Sequence, residues 1–418
     1  MPNRSHATAA RRGSTAPSAT WLPWALLAAV AALWVVLRLL PAAWIDGPWA
    51  RSWLPPVAAL TAAAIDAAPL SLTLITAAAW LAVVVAVAAR RALAPRARAA
   101  WVLVLLVALG PAFELAWGLG YRRTPLEAHL GLGVAAPSAE DAWRALDRLL
   151  AAAIASAPAP SGAAAPSDAA ASSGAAVALD AVALDAVALD APWSTDALAA
   201  AAHCVAEADA FALGRDAPLR LPRRVRALPA GLLLSGGFAG FQAPWWREPH
   251  LDGGLPPVAA LSTGLHELAH AAGWAREAET DALATLAGLA CADPDVRFAA
   301  ALHGLLLVRS ELARVAQPDP AWRETLAARW ATLPPAAGAA WAASRAATER
   351  YRSATVERAA VAVYDTYLRS QGVEAGIADY GRASVLLVNA LRACDAGAAA
   401  APWCAQPGRT SGAGAASR

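Results

Sequence analysis

His266-Glu267-Leu268-Ala269-His270 is the part of this 418-residue chain whose residue types and spacing are best suited to chemistry. Residues four apart on a helix share a face, so His266 and His270 can present two imidazoles to one metal ion. Glu267 sits one step round, where its carboxylate can reach a water beside that ion and act as general base. The chain has only seven histidines, so this spacing is hard to reach by accident. Ser262 and Thr263 are suited to cap such a helix, and Gly273 is placed to end it.

Two histidines leave Zn²⁺, the metal this spacing points to, short of a ligand, because a catalytic site takes three protein ligands and keeps one position open. One zinc-hydrolase pattern would put a third histidine at position 276, but Arg276 stands there, and a permanent cation does not ligate. A second pattern fits better. Glu277 opens the next helix and Asp281 follows one turn later on the same face, so Glu277 can bind the metal while Asp281 orients a ligand histidine. Glu279 is the competing third ligand and points to another side of that helix. Sequence leaves the choice open.

These residues need helices to hold them, and the chain is rich in helical pattern. It is 58% hydrophobic and only 16% charged, too apolar for an ordinary soluble globule. The excess is concentrated in three apolar runs, Trp21–Leu40, Leu70–Ala89 and Ala99–Leu119, each about long enough to cross a bilayer core of roughly 30 Å. Tryptophans 21, 24, 44, 49 and 53 cluster near the ends of the first run, as interfacial anchors do. Arg4, Arg11 and Arg12 precede that run, and Arg90, Arg91, Arg96 and Arg98 lie between the second and third, whereas the loop expected from Ala42 to Pro69 carries only Arg51. The positive-inside rule then places the N-terminus in the cytoplasm and everything after Leu119 outside it. Glu114, near the end of the third run, is expected to snorkel to the outer interface or pair with Arg122 or Arg123. A net charge of +2 without an arginine-rich tract gives no argument for nucleic acid.

The expected fold class is mainly α: transmembrane helices, then a predominantly helical zincin-like domain with a short strand or hairpin before the metal helix. The divisions are a cytoplasmic tail (1–20), a membrane region (21–119), a helical connector (120–156), a low-complexity insertion (157–190), the zinc-peptidase-like domain (191–405) and a disordered tail (406–418). The insertion ends in three copies of Ala-Val-Ala-Leu-Asp, whose five-residue period matches neither helix nor strand. Val225–Phe241, with Gly236, Gly237 and Gly240, reads as strand or hairpin and is a candidate edge for pairing with an extended substrate. His250 reads as a surface-loop histidine and His303 as a core one. All four cysteines fall in the exported portion, and Cys394 and Cys404 are close enough in sequence to bridge.

Several segments together resemble the bacterial membrane proteins grouped as domain of unknown function 3810, in which N-terminal spans precede an HExxH domain. They are Trp117–Arg123, Gly237–Pro256, His266–Gly273, Arg276–Asp281, Val363–Leu368 and Tyr380–Arg382. That family typically has Ala-Asn where this chain has Thr280-Asp281, but Glu277 with Asp281 is also similar to the Glu-x-x-x-Asp arrangement of gluzincin peptidases. The resemblance implies the metal site and the membrane topology and supplies no substrate. A peptidase mechanism needs a donor for the oxyanion, and Tyr380, Tyr364 and Arg382 are candidates. The expectation is a zinc metallopeptidase of a bacterial inner membrane, multi-pass, with its catalytic domain extracytoplasmic and acting on a peptide or protein. A membrane-anchored scaffold with an inert HExxH site, or a hydrolase of non-peptide amides, are the alternatives.

Overall fold

The computed structural model describes residues 21–133, 135–158, 193–316, 321–395 and 401–404. The tail 1–20 with Arg4, Arg11 and Arg12, the insertion beyond Pro158 with its repeats, and the tail 406–418 lie outside the described residues. The chain is mainly helical and divides into two units, residues up to Leu39 with Ala77–Glu114, and Leu40–Thr76 with everything from Leu115 onward.

The first unit contains α1 (Leu22–Arg38), most of α4 (Leu72–Ala89) and most of α5 (Pro95–Ala116). Both α4 and α5 are long and apolar enough to cross a membrane, and α1 passes that test as a bent pair with the helical segment after it. Apolar side chains such as Leu81, Val85, Leu103 and Leu106 face outward, as expected of helices whose solvent is hydrocarbon. Glu114, near the end of the third run, has partners within this unit. It is buried against α1, where Arg38 donates to it at 2.8 Å and the Trp34 indole at 3.4 Å. An acid within an apolar helix needs such donors, and Arg38 supplies one from 76 residues away in sequence.

The second unit starts with a surprise. The stretch expected as a loop from Ala42 is helical: α2 (Ala42–Trp44), a π-helical segment (Ile45–Trp53) and α3 (Leu54–Ala67). Pro48 inside the π-segment cannot donate to the preceding turn, which widens the helix there. Ile45, Trp49, Ala50 and Leu54 enter the main hydrophobic core, so this segment is part of the folded domain. A 3₁₀ turn (Gly118–Arg122) follows α5, then α6 (Leu126–His129), α7 (Ala139–Ser156) and α8 (Thr195–Leu213).

A three-stranded sheet comes next, β1 (Arg226–Leu228), β2 (Gly240–Ala243) and β3 (Glu248–Asp252), in the order β1-β3-β2. β1 runs parallel to β3 and β2 antiparallel, with Phe241 opposite His250. Asp252 is fully buried and accepts from the amides of Gly231, Leu233, Leu234 and Gly254, which folds the β1–β2 loop onto the end of β3. The metal-motif helix α9 (Pro257–Ala271) follows, then α10 (Glu277–Ala290), α11 (Pro294–Val315), α12 (Trp322–Trp330), α13 (Pro335–Tyr351), α14 (Ala354–Ser370) and α15 (Arg382–Asp395). Ser262 and Thr263 are inside α9 and do not cap it. Pro257, with its φ already suited to a first helical residue, starts the helix earlier. Gly273 does end it, at φ +101°.

α7, α8, α9, α10, α11 and α15 share one core, where Leu146, Leu198, Leu265, Leu283, Leu305 and Leu387 are almost fully buried. Two disulfides tie it, Cys204–Cys291 and the expected Cys394–Cys404.

Candidate metal centre

α9 carries His266, Glu267 and His270 on adjacent faces, and α10, after the turn at Gly273, returns Glu277 and Asp281 against them. One ligand atom from each of His266, His270 and Glu277 lies within 4.8 Å of the others. His266 Nε2 is 3.1 Å and His270 Nε2 3.4 Å from the same oxygen, Glu277 Oε2. The other nitrogen of each ring is committed elsewhere. His266 Nδ1 meets Asp281 Oδ1 at 2.7 Å, and His270 Nδ1 meets the Trp274 carbonyl at 2.6 Å. A carboxylate and a carbonyl only accept, so both Nδ1 atoms donate and both Nε2 atoms are turned toward Glu277. Second-layer acceptors that orient ligand histidines in this way are a regular feature of metal sites.

Electrostatics agree with that reading. Burial alone would lower the His266 imidazole, but Asp281 and Glu277 outweigh it and hold it well above its ordinary value. Burial would raise Glu277, yet His270 and His266 hold it well below the usual carboxylate range. Asp281 is lowered in the same way, burial being outweighed by His266 and by a contact with His303, whose Nε2 is 3.5 Å away. Two imidazoles and a carboxylate gathered this closely form a group that could hold a metal ion. Glu279 is buried but turned away, toward Arg276 at 2.9 Å, and lies outside the cluster.

Glu267 is 4% exposed, and burial pushes its carboxyl up to about 7. It lies against Gly240 of β2, where an added Cβ would come within 2.4 Å of Glu267 Oε1. Glycine at 240 therefore makes room for the carboxylate beside the strand. Among the described residues β2 pairs only with β3, so its outer edge is unpaired. The sheet extends past the expected Val225–Phe241 because its antiparallel pair closes at residues 240–252.

Aromatic residues wall the cluster. The Tyr364 hydroxyl donates to Glu277 Oε1, and burial together with Glu277 raises both Tyr364 and Tyr380 well above ordinary phenols, so both stay protonated as donors. Phe238 packs on Tyr364 with ring centroids 5.4 Å apart. The Trp117 ring lies 4.9 Å from that of His270, and its indole donates to the Tyr367 hydroxyl at 2.8 Å. Tyr121 packs on Tyr367. Gly120 lies so close to α9 and α10 that a Cβ there would sit 2.9 Å from that of Ala275. Arg123 donates to the Gly273 carbonyl at 3.0 Å and stacks over Trp274, while Arg247 donates to the Ala271 carbonyl, so two buried arginines satisfy the C-terminal carbonyls of the metal helix.

Sequence reading assigned no role to Trp117, Tyr121, Tyr367 or Gly240. The one available signal was Trp-Gly-Leu-Gly-Tyr-Arg-Arg directly after an apolar run, where two aromatics and two glycines mark close packing. Arg382 does not face the cluster, for it pairs with Glu127. His250 is buried in β3, with Nε2 3.0 Å from the Ser71 hydroxyl, because β3 is covered on both sides. His303 is one-third exposed beside Asp281 and not a core residue.

Residues 50–388 match the family described as protein of unknown function (DUF3810), and the chain belongs to that family. No curated protein and no solved structure matches it.

Proposed function

We propose that this chain is a membrane-bound zinc metallopeptidase with a zincin-like catalytic domain. The observation that carries the proposal is the convergence of His266 Nε2, His270 Nε2 and a Glu277 oxygen on one point, with Glu267 on the next face of the same helix. Two imidazoles and one carboxylate are a donor set that suits Zn²⁺ and leaves a position open. Held there, the ion would polarise a substrate carbonyl and lower the pKa of a water.

The protein's own residues supply the rest. Glu267, buried beside β2, is placed to take a proton from the attacking water and return it to the leaving amine. Tyr364 and Tyr380 offer neutral hydroxyls to the carbonyl oxygen as it gains charge. The unpaired edge of β2 offers main-chain donors and acceptors to an extended peptide. Asp281 keeps His266 in the tautomer that presents Nε2.

The arginines between α4 and α5 support a cytoplasmic position for that loop, which leaves the catalytic domain on the outer face of a bacterial inner membrane. Two disulfides in that domain suit an oxidising compartment.

Metal analysis of detergent-purified protein tests the reading. About one zinc per chain is expected in wild type and in Glu279→Ala, and none in Glu277→Ala. Glu267→Gln should keep the zinc and lose peptide hydrolysis. A wild type that takes up no metal even when zinc is supplied would leave the inert-scaffold reading in its place.

A further inference from the structure

Three consecutive residues at the end of the β2–β3 turn and the start of β3 touch the ends of two apolar helices. The Trp246 indole donates to the Thr76 hydroxyl, one turn into α4, at 3.1 Å. Arg247 donates to the carbonyl of Ala116, the last residue of α5, at 3.2 Å. Glu248 accepts from the Ser71 hydroxyl at 2.8 Å and from the amides of Leu72 and Thr73 at 3.3 and 2.9 Å, so it caps the N-terminus of α4. Burial would raise Glu248, but these donors and Arg226 hold it below the usual carboxylate range, which keeps the cap charged. Trp49 adds a bond to the carbonyl of Leu115 at 3.0 Å. If α4 and α5 cross the bilayer, their joined ends, Leu72 and Ala116, emerge on the same side.

No linker separates these ends from the metal centre. Trp117 follows Ala116 directly, and its ring is 4.9 Å from His270. The centre is therefore reached from the end of the α5 span through a single side chain, that of Trp117. Trp245, 45% exposed, and Trp246 occupy the same turn, where tryptophans are favoured at a membrane–water boundary. From the cluster an apolar groove of about 810 Å³ runs along α14, lined by Phe238, Val356, Ala360, Val363, Tyr364 and Tyr367. Val363 is 70% and Val356 47% exposed there. Tyr364 belongs both to the groove and to the contacts of Glu277, so the groove is continuous with the site.

From this arrangement we infer that the substrate is the juxtamembrane segment of a membrane-anchored polypeptide, cut within a few residues of where it leaves the bilayer, with apolar residues beside the cut held in the α14 groove. This rests on the peptidase reading above. A water-soluble peptide would have no reason to need a site with no stalk, whereas the juxtamembrane segment of an anchored chain can reach only a site at that height. Anchoring also supplies effective concentration without new contacts.

The test uses the full chain, zinc-loaded, in phosphatidylethanolamine–phosphatidylglycerol vesicles. A fluorophore on Trp245→Cys is challenged with a headgroup nitroxide lipid and with a water-soluble nitroxide. The lipid quencher should act several-fold more strongly, and quenching by the aqueous agent alone overturns the interfacial position. The second arm offers one apolar-centred peptide in three forms: dipalmitoyl-anchored with a spacer of about 3 residues, anchored with a spacer of about 25, and unanchored. Cleavage at least ten-fold faster for the short spacer supports the inference. Equal cleavage of both anchored forms, or of the free peptide, overturns it. If the probe reports lipid contact and zinc is bound yet no form is cut, the peptidase reading fails and the substrate falls with it, while the interfacial position stands.

Discussion

His266, Glu267, His270, Glu277 and Asp281 come from one stretch of chain on two consecutive helices, whereas the wall around them joins residues as far apart as Trp117 and Tyr367, 250 positions from each other. The two regions also differ in chemistry. The cluster is ionic, each imidazole turned by an acceptor on its Nδ1 atom. The wall is aromatic and neutral, and its tyrosines are held protonated by burial and by Glu277. On the proposed reading, such a division separates holding a cation from handling a substrate. It teaches that a local motif can be complete in sequence while its surroundings come from distant segments folded against it.

Substitutions can break or sharpen that contrast. The largest effect is expected from His266→Ala, which removes a ligand atom and strands Asp281 and Glu277 as buried carboxylates. Zinc analysis should show the metal gone, and retained zinc would mean that the cluster is not the site. Gly240→Val comes next, because its side chain would collide with Glu267. Zinc should be kept while kcat falls by roughly 10² to 10⁴, the ordinary share of a general base. Unchanged turnover would show that Glu267 does not act where it stands.

Tyr364→Phe should leave zinc in place and lower kcat by about 10²-fold, as loss of one oxyanion donor does. If zinc is lost instead, Tyr364 acts through Glu277 and belongs to the cluster, and the division drawn here is wrong at that residue. The smallest effect is structural. Glu248→Gln should destabilise the domain by about 1–2 kcal/mol through loss of charge-assisted bonds. Because Glu248 has its pKa lowered on folding, its contribution is fully present above the unfolded value of 4.5 and fades as pH falls through the lower folded value. Thermal unfolding of the two proteins should therefore converge in acid. A constant gap at all pH values would mean that the charge of Glu248 contributes nothing.

Helices α9 and α10, the three apolar runs and most later helices were legible because period, proline and glycine act over a few residues. Pro257, Pro294 and Pro335 each stand at a helix start, and Gly273 ends α9. The segment after Ala42 was misread for the converse reason. Its prolines and tryptophans resemble an interfacial loop, and only the core that receives Ile45, Trp49 and Leu54 makes it helical. The pairing of Arg38 with Glu114 was out of reach for the same reason, since the two meet only after two apolar helices pack.

By itself the sequence determined the pair of histidines and the glutamate beside them, because a helix of 3.6 residues per turn places i and i+4 together wherever it lies. It also determined that apolar helices precede them, since twenty apolar residues have few other solvents. Tertiary structure alone set Glu277 rather than Glu279 against the imidazoles. Both open α10 within reach of α9, but the turn at Gly273 and the pairing of Arg276 with Glu279 rotate Glu277 to the imidazoles. It alone placed Gly240, Trp117 and Tyr364 at the site, because contacts between residues far apart in sequence leave no period in the chain and are set only by which faces the core buries.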